Sequence, residues 1–150
     1  MEIPKFERVE YSKLKSRQKE TFNFQKVSGL LAEYGYATLH LNDDWNGADF
    51  LAVHINGKNT LKVQLKGRLT FRKNYRKQDL WVCFRDNGMV FLYPHDLLLE
   101  HALKKTNIAN TESWQKDNGG YSFPSLPKSL SVELQKFCLG QESTPAGVYA

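Results

Sequence analysis

The sequence predicts one α/β domain, in which a central mixed β-sheet of four or five strands is flanked by helices. Phe24, Val27 and Leu31 recur at helical spacing in the N-terminal part of the chain. The segments ADFLAVHI and TLKVQLK have the character of two strands, and the Asn56-Gly57 pair between them favours a β-hairpin. A second pair of strand-like segments, LWVCFRD and MVFLYP, flanks the turn sequence DNG. Helices and paired strands in one chain of 150 residues indicate a single mixed domain.

The first third of the chain contains an arm, a helix and a strand. Residues 1–11 are expected to form an extended or poorly ordered arm. The helix is predicted to begin at residue 12 or 16, where a serine can cap it, and to end at residue 34. Gly35 suits the left-handed conformation that closes many helices. A strand over residues 36–41 and the polar loop NDDWNG lead into the hairpin.

The rest of the chain contains a basic loop, two strands and two helices. The segment GRLTFRKNYRKQ is predicted to be an irregular excursion before the second strand pair. A helix is expected over HDLLLEHALKK and a last one over SLSVELQKFCL. The domain core then spans about residues 12–139, and residues 140–150 form a disordered tail. The predicted order is α-β-β-β-β-β-α followed by a short helix.

Composition and charge narrow the class of protein. No apolar run reaches the roughly 18 residues of a membrane helix, and the N-terminus lacks the apolar core of a signal peptide. We therefore expect a cytoplasmic protein that does not enter a membrane. The two cysteines form no CxxC motif, which argues against a structural zinc site.

Positive charge is concentrated in one segment. The net charge is +5, and residues 58–78 contain eight basic residues and no acidic one. Phe71 and Tyr75 are interleaved with them. Such a segment suits a nucleic-acid backbone, although a solvated lysine-rich loop would look the same. The candidate phosphate contacts are Lys62, Arg68, Arg72, Lys73, Arg76 and Lys77.

The hairpin register brings three polar residues together. If Asn56 and Gly57 form a two-residue turn, the numbers of cross-strand partners sum to 113. Asp49 then lies opposite Gln64, and Lys66 is its diagonal neighbour on the same face. A loop one residue longer or shorter would reverse this parity.

A fourth polar residue comes from the first helix. Glu20 lies four residues before Phe24 and continues the apolar stripe of the helix toward its N-terminus. The oxygens of Asp49, Glu20 and Gln64 are hard donors that suit magnesium or manganese better than zinc. A metal ion there would polarise a phosphate and activate water, and Lys66 would stabilise the developing charge.

The arrangement of Asp49, Gln64 and Lys66 after a helix bearing Glu20 resembles the PD-(D/E)xK nuclease superfamily in its QxK variant. The resemblance covers about residues 16–105. It implies a restriction-endonuclease-like core of αβββαβ type, like that of Holliday junction resolvases. It also implies Asp49 as the principal metal ligand, Gln64 and the Leu65 carbonyl as further ligands, and Lys66 as catalytic. Members of this superfamily are commonly homodimers, so a homodimer is expected.

Two departures from the superfamily pattern bear on function. Ala48 replaces the proline of the motif name, and Gln64 replaces an acid, which removes a negative charge from the metal site. The sequence therefore predicts a magnesium- or manganese-dependent endonuclease that hydrolyses phosphodiester bonds, most naturally in DNA. A catalytically inactive nucleic-acid-binding protein on the same fold is the alternative, and a protein that binds another kind of partner is a third.

Structural roles would also explain each candidate residue singly. Asp49 could cap the turn after Asn46-Gly47, as aspartates commonly do. Gln64 and Lys66 could form the solvent face of an edge strand, where lysine discourages aggregation. The combination of residues, not any one of them, carries the functional prediction.

Overall fold

The computed structural model describes residues 1–45 and 47–142, which contain four α-helices and eight strands. The helices are α1 (Ser16–Glu33), α2 (His95–Lys105), α3 (Glu112–Gln115) and α4 (Ser131–Lys136). The strands are β1 (Tyr36–Trp45), β2 (Ala48–His54), β3 (Thr60–Lys66), β4 (Thr70–Arg72), β5 (Leu80–Asp86), β6 (Met89–Pro94), β7 (Gly120–Ser122) and β8 (Cys138–Gln141). None of the helices within these residues is long and apolar enough to cross a membrane.

Six strands form the central sheet in the order β1-β2-β3-β5-β6-β8. Strands β3 and β5 are parallel, and every other neighbouring pair is antiparallel. Strands β4 and β7 form a separate two-stranded ribbon. The predicted mixed sheet flanked by helices is confirmed, with six strands in place of four or five.

The C-terminal part of the described chain accounts for the additional strand. The last helix was predicted to continue through residue 139 and the tail to begin at residue 140. Instead α4 ends at Lys136, and Cys138–Gln141 pairs with β6 as strand β8. Residues 143–150 of the predicted tail lie outside the described residues.

The connection from β3 to β5, residues 67–79, is the second difference from the expected αβββαβ core. We call this connection the basic excursion. It contains β4 and a single 3-10 turn, Lys73–Tyr75, and none of its residues is in an α-helix. Helix α2 follows β6 instead, at the position predicted for HDLLLEHALKK.

Apolar residues cover both faces of the sheet. On one face, Val27 and Leu31 of α1 pack with Phe50 and Val63 of the hairpin, and all four are at most 1% exposed. The opposite face packs against α2, α4 and the basic excursion through a larger cluster that includes Phe71 and other buried residues. Burial on both faces fixes the pleat of β2 and β3, and hence the side on which each polar residue of the hairpin emerges.

Candidate active site

The hairpin β2–β3 has the predicted register. The observed partners run from Phe50 and Val63 to Val53 and Thr60, and each pair of numbers sums to 113. The loop is longer than predicted, because the last backbone contact joins the His54 N–H to the Asn59 carbonyl at 2.9 Å. One extra residue on each side of Asn56-Gly57 leaves the parity unchanged, so Asp49 and Gln64 share a face as expected.

Asp49 lies where the two strands begin to separate. The paired register runs as far as Phe50 and Val63, and beyond it Asp49 Oδ2 accepts the Leu65 N–H at 2.8 Å. On the other side of Asp49, the register of β1 and β2 shifts between His40 and Trp45. Irregularities of this kind commonly redirect side chains next to functional sites.

The charge state of Asp49 is set by competing effects. Burial raises the pKa of this half-buried carboxyl above its usual value, and the Leu65 N–H and the Lys66 ammonium oppose that rise. The neighbouring carboxylate of Glu20 raises the pKa further, while His40 lowers it. An aspartate that is partly desolvated beside a second carboxylate favours any cation that can neutralise it.

One cavity of about 350 Å³ brings together all the candidates for metal binding and catalysis. Its wall is formed by residues of α1, β1, β2 and β3, including Glu20, His40, Asp49, Gln64, Leu65 and Lys66. The Gln64 amide nitrogen lies 3.5 Å from the Leu65 carbonyl oxygen, so the Gln64 side chain lies beside the predicted carbonyl ligand. Asp49, Gln64 and Lys66 of the hairpin therefore line the same cavity as Glu20 of α1.

Aromatic packing positions the helix end of the cavity. The Phe24 ring packs against Phe50 at 5.1 Å and against His40 at 4.9 Å between ring centres. Glu20 lies one helical turn before Phe24, so it comes to the cavity rim, where its side chain is exposed. Glu20 was expected to point along the core rather than toward water; instead it lines the cavity with an exposed side chain.

A second cavity of about 560 Å³ adjoins the same residues from the basic excursion. Asp49, Gln64 and Lys66 line it together with Asn74, Tyr75 and Gln78. The Lys66 ammonium lies 5.8 Å from the centre of the Tyr75 ring. The ring therefore provides a favourable face for the cation while the ammonium remains beside Asp49.

The predicted phosphate contacts fall into two groups. Four of them make side-chain contacts within the protein. Lys62 donates to the Gln78 carbonyl at 2.5 Å and Lys73 to the Lys116 carbonyl at 3.3 Å. Arg72 donates to Asn74 at 3.3 Å, and Arg76 donates from Nε to the Lys73 carbonyl at 3.1 Å. The other two, Arg68 and Lys77, are exposed.

The first group helps to shape the basic excursion, and the second presents charge to solvent.

His95 anchors the basic excursion to the sheet. This side chain is 1% exposed, and its Nε2 accepts the Arg72 N–H at 3.1 Å. Its Nδ1 lies 2.8 Å from Asp96 Oδ1, and Asp96 Oδ2 accepts the Lys77 N–H. Because Nε2 acts as an acceptor, the ring must be neutral with its proton on Nδ1. Burial lowers the pKa of His95, against the opposing effect of Asp96.

We therefore expect His95 to make folding stability depend on pH. Because the pKa of His95 is lower in the folded state than its ordinary value of 6.5, the folded state favours the neutral ring. His95 therefore contributes its full stabilisation above pH 6.5, and this contribution is lost as the pH falls through the folded-state pKa. Urea unfolding at pH 7.5, 6.5 and 5.5 should show a smaller loss toward acid for His95→Gln than for the wild type. His101→Gln, at a half-exposed histidine of α2, is the matched control. Parallel losses in wild type and His95→Gln would refute the assignment.

Several residues at the site were not identified from the sequence. Asn23, His40, Asn74 and Gln78 line the two cavities, yet they belong to no recognised spacing. The pairing of β1 with β2 would have indicated His40, because it lies opposite Phe50 and next to Asp49. Asn74 and Gln78 reach the site only through the folding of the basic excursion, which has no periodic pattern.

The oxygen atoms at the site suit a hard divalent cation, but few of them carry negative charge. Two carboxylates, Asp49 and Glu20, accompany the amide oxygen of Gln64 and the carbonyl of Leu65. Across residues 1–45 and 47–142, no three His, Cys, Asp or Glu side chains are grouped closely enough to hold a metal ion. A cation at this site would therefore depend on neutral oxygen donors for part of its coordination.

Comparisons with known proteins find partial structural likeness. No protein-family model matches the sequence, and neither does any curated protein. The structure resembles a bacterial homing endonuclease, I-Ssp6803I, over 82% of this chain and 94% of that one, with 15% identity and a TM-score of 0.46. It also resembles the Holliday junction resolvase Hjc of Archaeoglobus fulgidus over 53% of this chain and 75% of that one, with 15% identity and a TM-score of 0.43.

Proposed function

We propose that the protein is a metal-dependent endonuclease that hydrolyses phosphodiester bonds in DNA. The observation that carries this proposal is the convergence of Asp49, Glu20, Gln64 and Lys66 on one cavity. The basic excursion borders the same residues from the other side, and its exposed arginines and lysine provide positive charge for a polyanionic substrate. Carboxylates beside a lysine, flanked by a basic surface, are the parts that phosphodiester hydrolysis requires.

Asp49, Glu20, Gln64 and the Leu65 carbonyl would hold the cation, which we propose to be Mg²⁺ or Mn²⁺. When bound, it supplies Lewis acidity to the phosphate and lowers the pKa of water. The raised pKa of Asp49 supports this assignment, because a buried and partly uncompensated carboxylate gains most from a neighbouring positive charge. The Leu65 N–H fixes the orientation of that carboxylate at 2.8 Å.

Lys66 would act on the substrate phosphate. Its stem emerges from the end of β3, and its ammonium remains beside the Tyr75 ring on the side of the sheet that carries Asp49. An ammonium in this position stabilises the negative charge that accumulates on the phosphoryl oxygens as the bond to the leaving oxygen lengthens. The same group can donate a proton to an oxygen within hydrogen-bond reach.

A non-catalytic DNA-binding protein on the same fold is the second candidate. Gln64 favours it, because an amide at this position leaves two carboxylates, Asp49 and Glu20, among the described residues that line the cavity. The basic excursion would then be the functional surface, and the cavity would be a remnant of chemistry that the chain no longer performs.

A substrate panel separates these candidates. Supercoiled, linear, single-stranded and branched DNA, together with RNA, should be incubated with Mg²⁺ or Mn²⁺ and either wild type or Lys66→Ala. The endonuclease proposal predicts cleavage of at least one DNA form by wild type and its loss in the variant. Salt-dependent binding of DNA with no metal-dependent cleavage of any form would support the binding protein and overturn the endonuclease.

Restoring an acid at position 64 is expected to strengthen metal binding. Gln64→Glu adds a negative charge opposite Asp49, so the apparent affinity for Mg²⁺ should rise by about 10-fold, or ~1.4 kcal/mol. Without metal, the variant should be less stable than wild type, because like charges then face each other across the hairpin. Thermal unfolding across a Mg²⁺ titration measures both effects, since a ligand of the folded state raises the melting temperature.

Gln64→Met removes the amide without adding charge and is the matched control for this comparison. If Mg²⁺ stabilises wild type and Gln64→Glu to the same extent, residue 64 does not face the cation.

A further inference from the structure

Arg85 lies at the end of β5 beside the candidate active site. The parallel register pairs Lys66 of β3 with Phe84, so Arg85 is the next residue along the neighbouring strand. It emerges on the α1 face, where its guanidinium lies 5.4 Å from the Phe22 ring centre and donates to Asn23 Oδ1. Asn23 also lines the active-site cavity. An arginine with no role in the proposed chemistry therefore adjoins the site.

A carboxylate of the same chain occupies the outer edge of this guanidinium. Arg85 Nε and Nη2 donate to the two oxygens of Glu142 at 2.5 and 2.6 Å. The Arg85 side chain is 20% exposed and that of Glu142 is 18% exposed. Glu142 directly follows β8, and its N–H donates to the Gly88 carbonyl at 2.9 Å.

The Arg85–Glu142 pair faces a groove that continues from the active site. A cavity of about 470 Å³ is lined by both residues and by Lys66, Gly67 and Asn87. Lys66 and Gly67 also line the active-site cavity, so the two spaces meet at the lysine. A polyanion that reaches Lys66 and extends along this groove would therefore pass the guanidinium.

We propose that Arg85 is a phosphate-binding residue of the substrate groove and that Glu142 is a built-in competitor for it. The inference rests on the proposed function, since it takes the substrate to be DNA. A guanidinium binds a carboxylate and a phosphate through the same two parallel N–H bonds. The Glu142 carboxylate therefore fills the position that a backbone phosphate next to the scissile one would take. DNA can contact Arg85 only after Glu142 has moved away from the guanidinium.

This exchange would lower the affinity for DNA without closing the site. Glu142 is joined to Arg85 through partly exposed atoms and follows a strand of only four residues, Cys138–Gln141. A long polyanion that engages Lys66 and the basic excursion at the same time can displace it, whereas a single small anion gains too little. The Phe22 and Asn23 contacts keep the guanidinium aimed into the groove after the exchange.

The test measures DNA binding at a series of salt concentrations without divalent metal. Neutralising the competitor in Glu142→Gln should strengthen binding about 5- to 10-fold at low salt. It should also steepen the slope of log affinity against log salt by up to about 0.9, the contribution of one phosphate contact. The double variant Glu142→Gln/Arg85→Gln should lose both gains.

Glu100→Gln is the charge-matched control, because it removes one exposed carboxylate from an i,i+4 ion pair on α2. It should leave the salt slope unchanged. Glu142→Ala provides a second removal of the competitor and should behave like Glu142→Gln.

Two outcomes overturn the proposals, and they are distinguishable. If Glu142→Gln lowers the melting temperature and leaves both affinity and salt slope as in wild type, the pair is only a structural tie between β5 and the end of β8. If wild type itself binds no DNA at low salt, the proposed function fails.

Discussion

Asp49→Asn is expected to lower metal-dependent DNA cleavage by at least about 10³-fold, or ~4 kcal/mol of activation free energy. Among the residues that the structure describes, Asp49 is one of the two carboxylates that line the cavity, so its neutralisation removes half of the negative charge that they offer a cation. Single-turnover cleavage at saturating DNA measures the effect. DNA binding without metal should change little, because the carboxylate opposes the polyanion rather than attracting it.

The same substitution should leave the fold intact or stabilise it slightly. Asp49 has a raised pKa, so the folded state favours its protonated form. A group of this kind contributes stability below its unfolded pKa of 3.8 and loses that contribution as pH rises through the folded value. At neutral pH the ionised carboxylate is therefore a cost to folding. Asparagine removes the charge and retains an oxygen that can accept the Leu65 N–H.

Comparison with Asp49→Ala separates the structural role from the chemical one. Alanine leaves the Leu65 N–H without its 2.8 Å acceptor, which should cost about 1–3 kcal/mol of unfolding free energy. Asp117→Asn, at an exposed aspartate, controls for the loss of one negative charge. If a folded Asp49→Asn variant cleaved DNA at the wild-type rate, the site assignment would be refuted.

The hairpin shows why much of the candidate site could be predicted from the sequence. Side-chain parity in a strand depends on the hydrophobic pattern and on the centre of the turn, and both are local. Asn56-Gly57 located the centre correctly even though the loop has four residues rather than two. The register placing Asp49 opposite Gln64 therefore followed from neighbouring residues alone.

The parts that escaped prediction depend on contacts distant in sequence. Strand β8 is short and contains Gly140 at a φ of +107°, so no alternating pattern identifies it. It forms because β6 offers an edge after β5 has paired on the other side. The contact of Arg85 with Glu142 spans 57 residues and exists only once β8 has joined the sheet. No spacing rule in the sequence could connect these two side chains.

The basic segment shows a similar limit within one stretch of the chain. The composition of residues 58–78 predicted a phosphate-binding surface but did not indicate which of the basic residues face solvent. In the structure, Lys62 and Lys73 donate to backbone carbonyls, whereas Arg68 and Lys77 are exposed. The division arises from how the excursion folds over His95 and Trp114, which the charge pattern does not encode.

Lys66→Met is expected to reduce cleavage by about 10²- to 10³-fold with almost no loss of folding stability. Methionine keeps an unbranched apolar stem of similar length and removes only the ammonium, whose neighbour is the Tyr75 ring rather than a buried hydrogen-bond acceptor. DNA affinity should fall by no more than the contribution of one phosphate contact. The loss of one such contact reduces the slope of log affinity against log salt by about 0.9. Rapid-quench cleavage and salt-dependent binding measure the two effects separately.

Lys62→Met provides a control on the same strand and the same face, four residues earlier. Lys62 donates to the Gln78 carbonyl, so its loss should cost about 1 kcal/mol of unfolding free energy and leave the chemical step close to wild type. Lys66→Arg distinguishes the two actions proposed for Lys66. Because arginine retains the charge but does not release a proton near neutral pH, it should restore cleavage if Lys66 acts only by electrostatic stabilisation. Equal cleavage defects in Lys62→Met and Lys66→Met would instead mean that the strand contributes general positive charge and that Lys66 has no special place in the reaction.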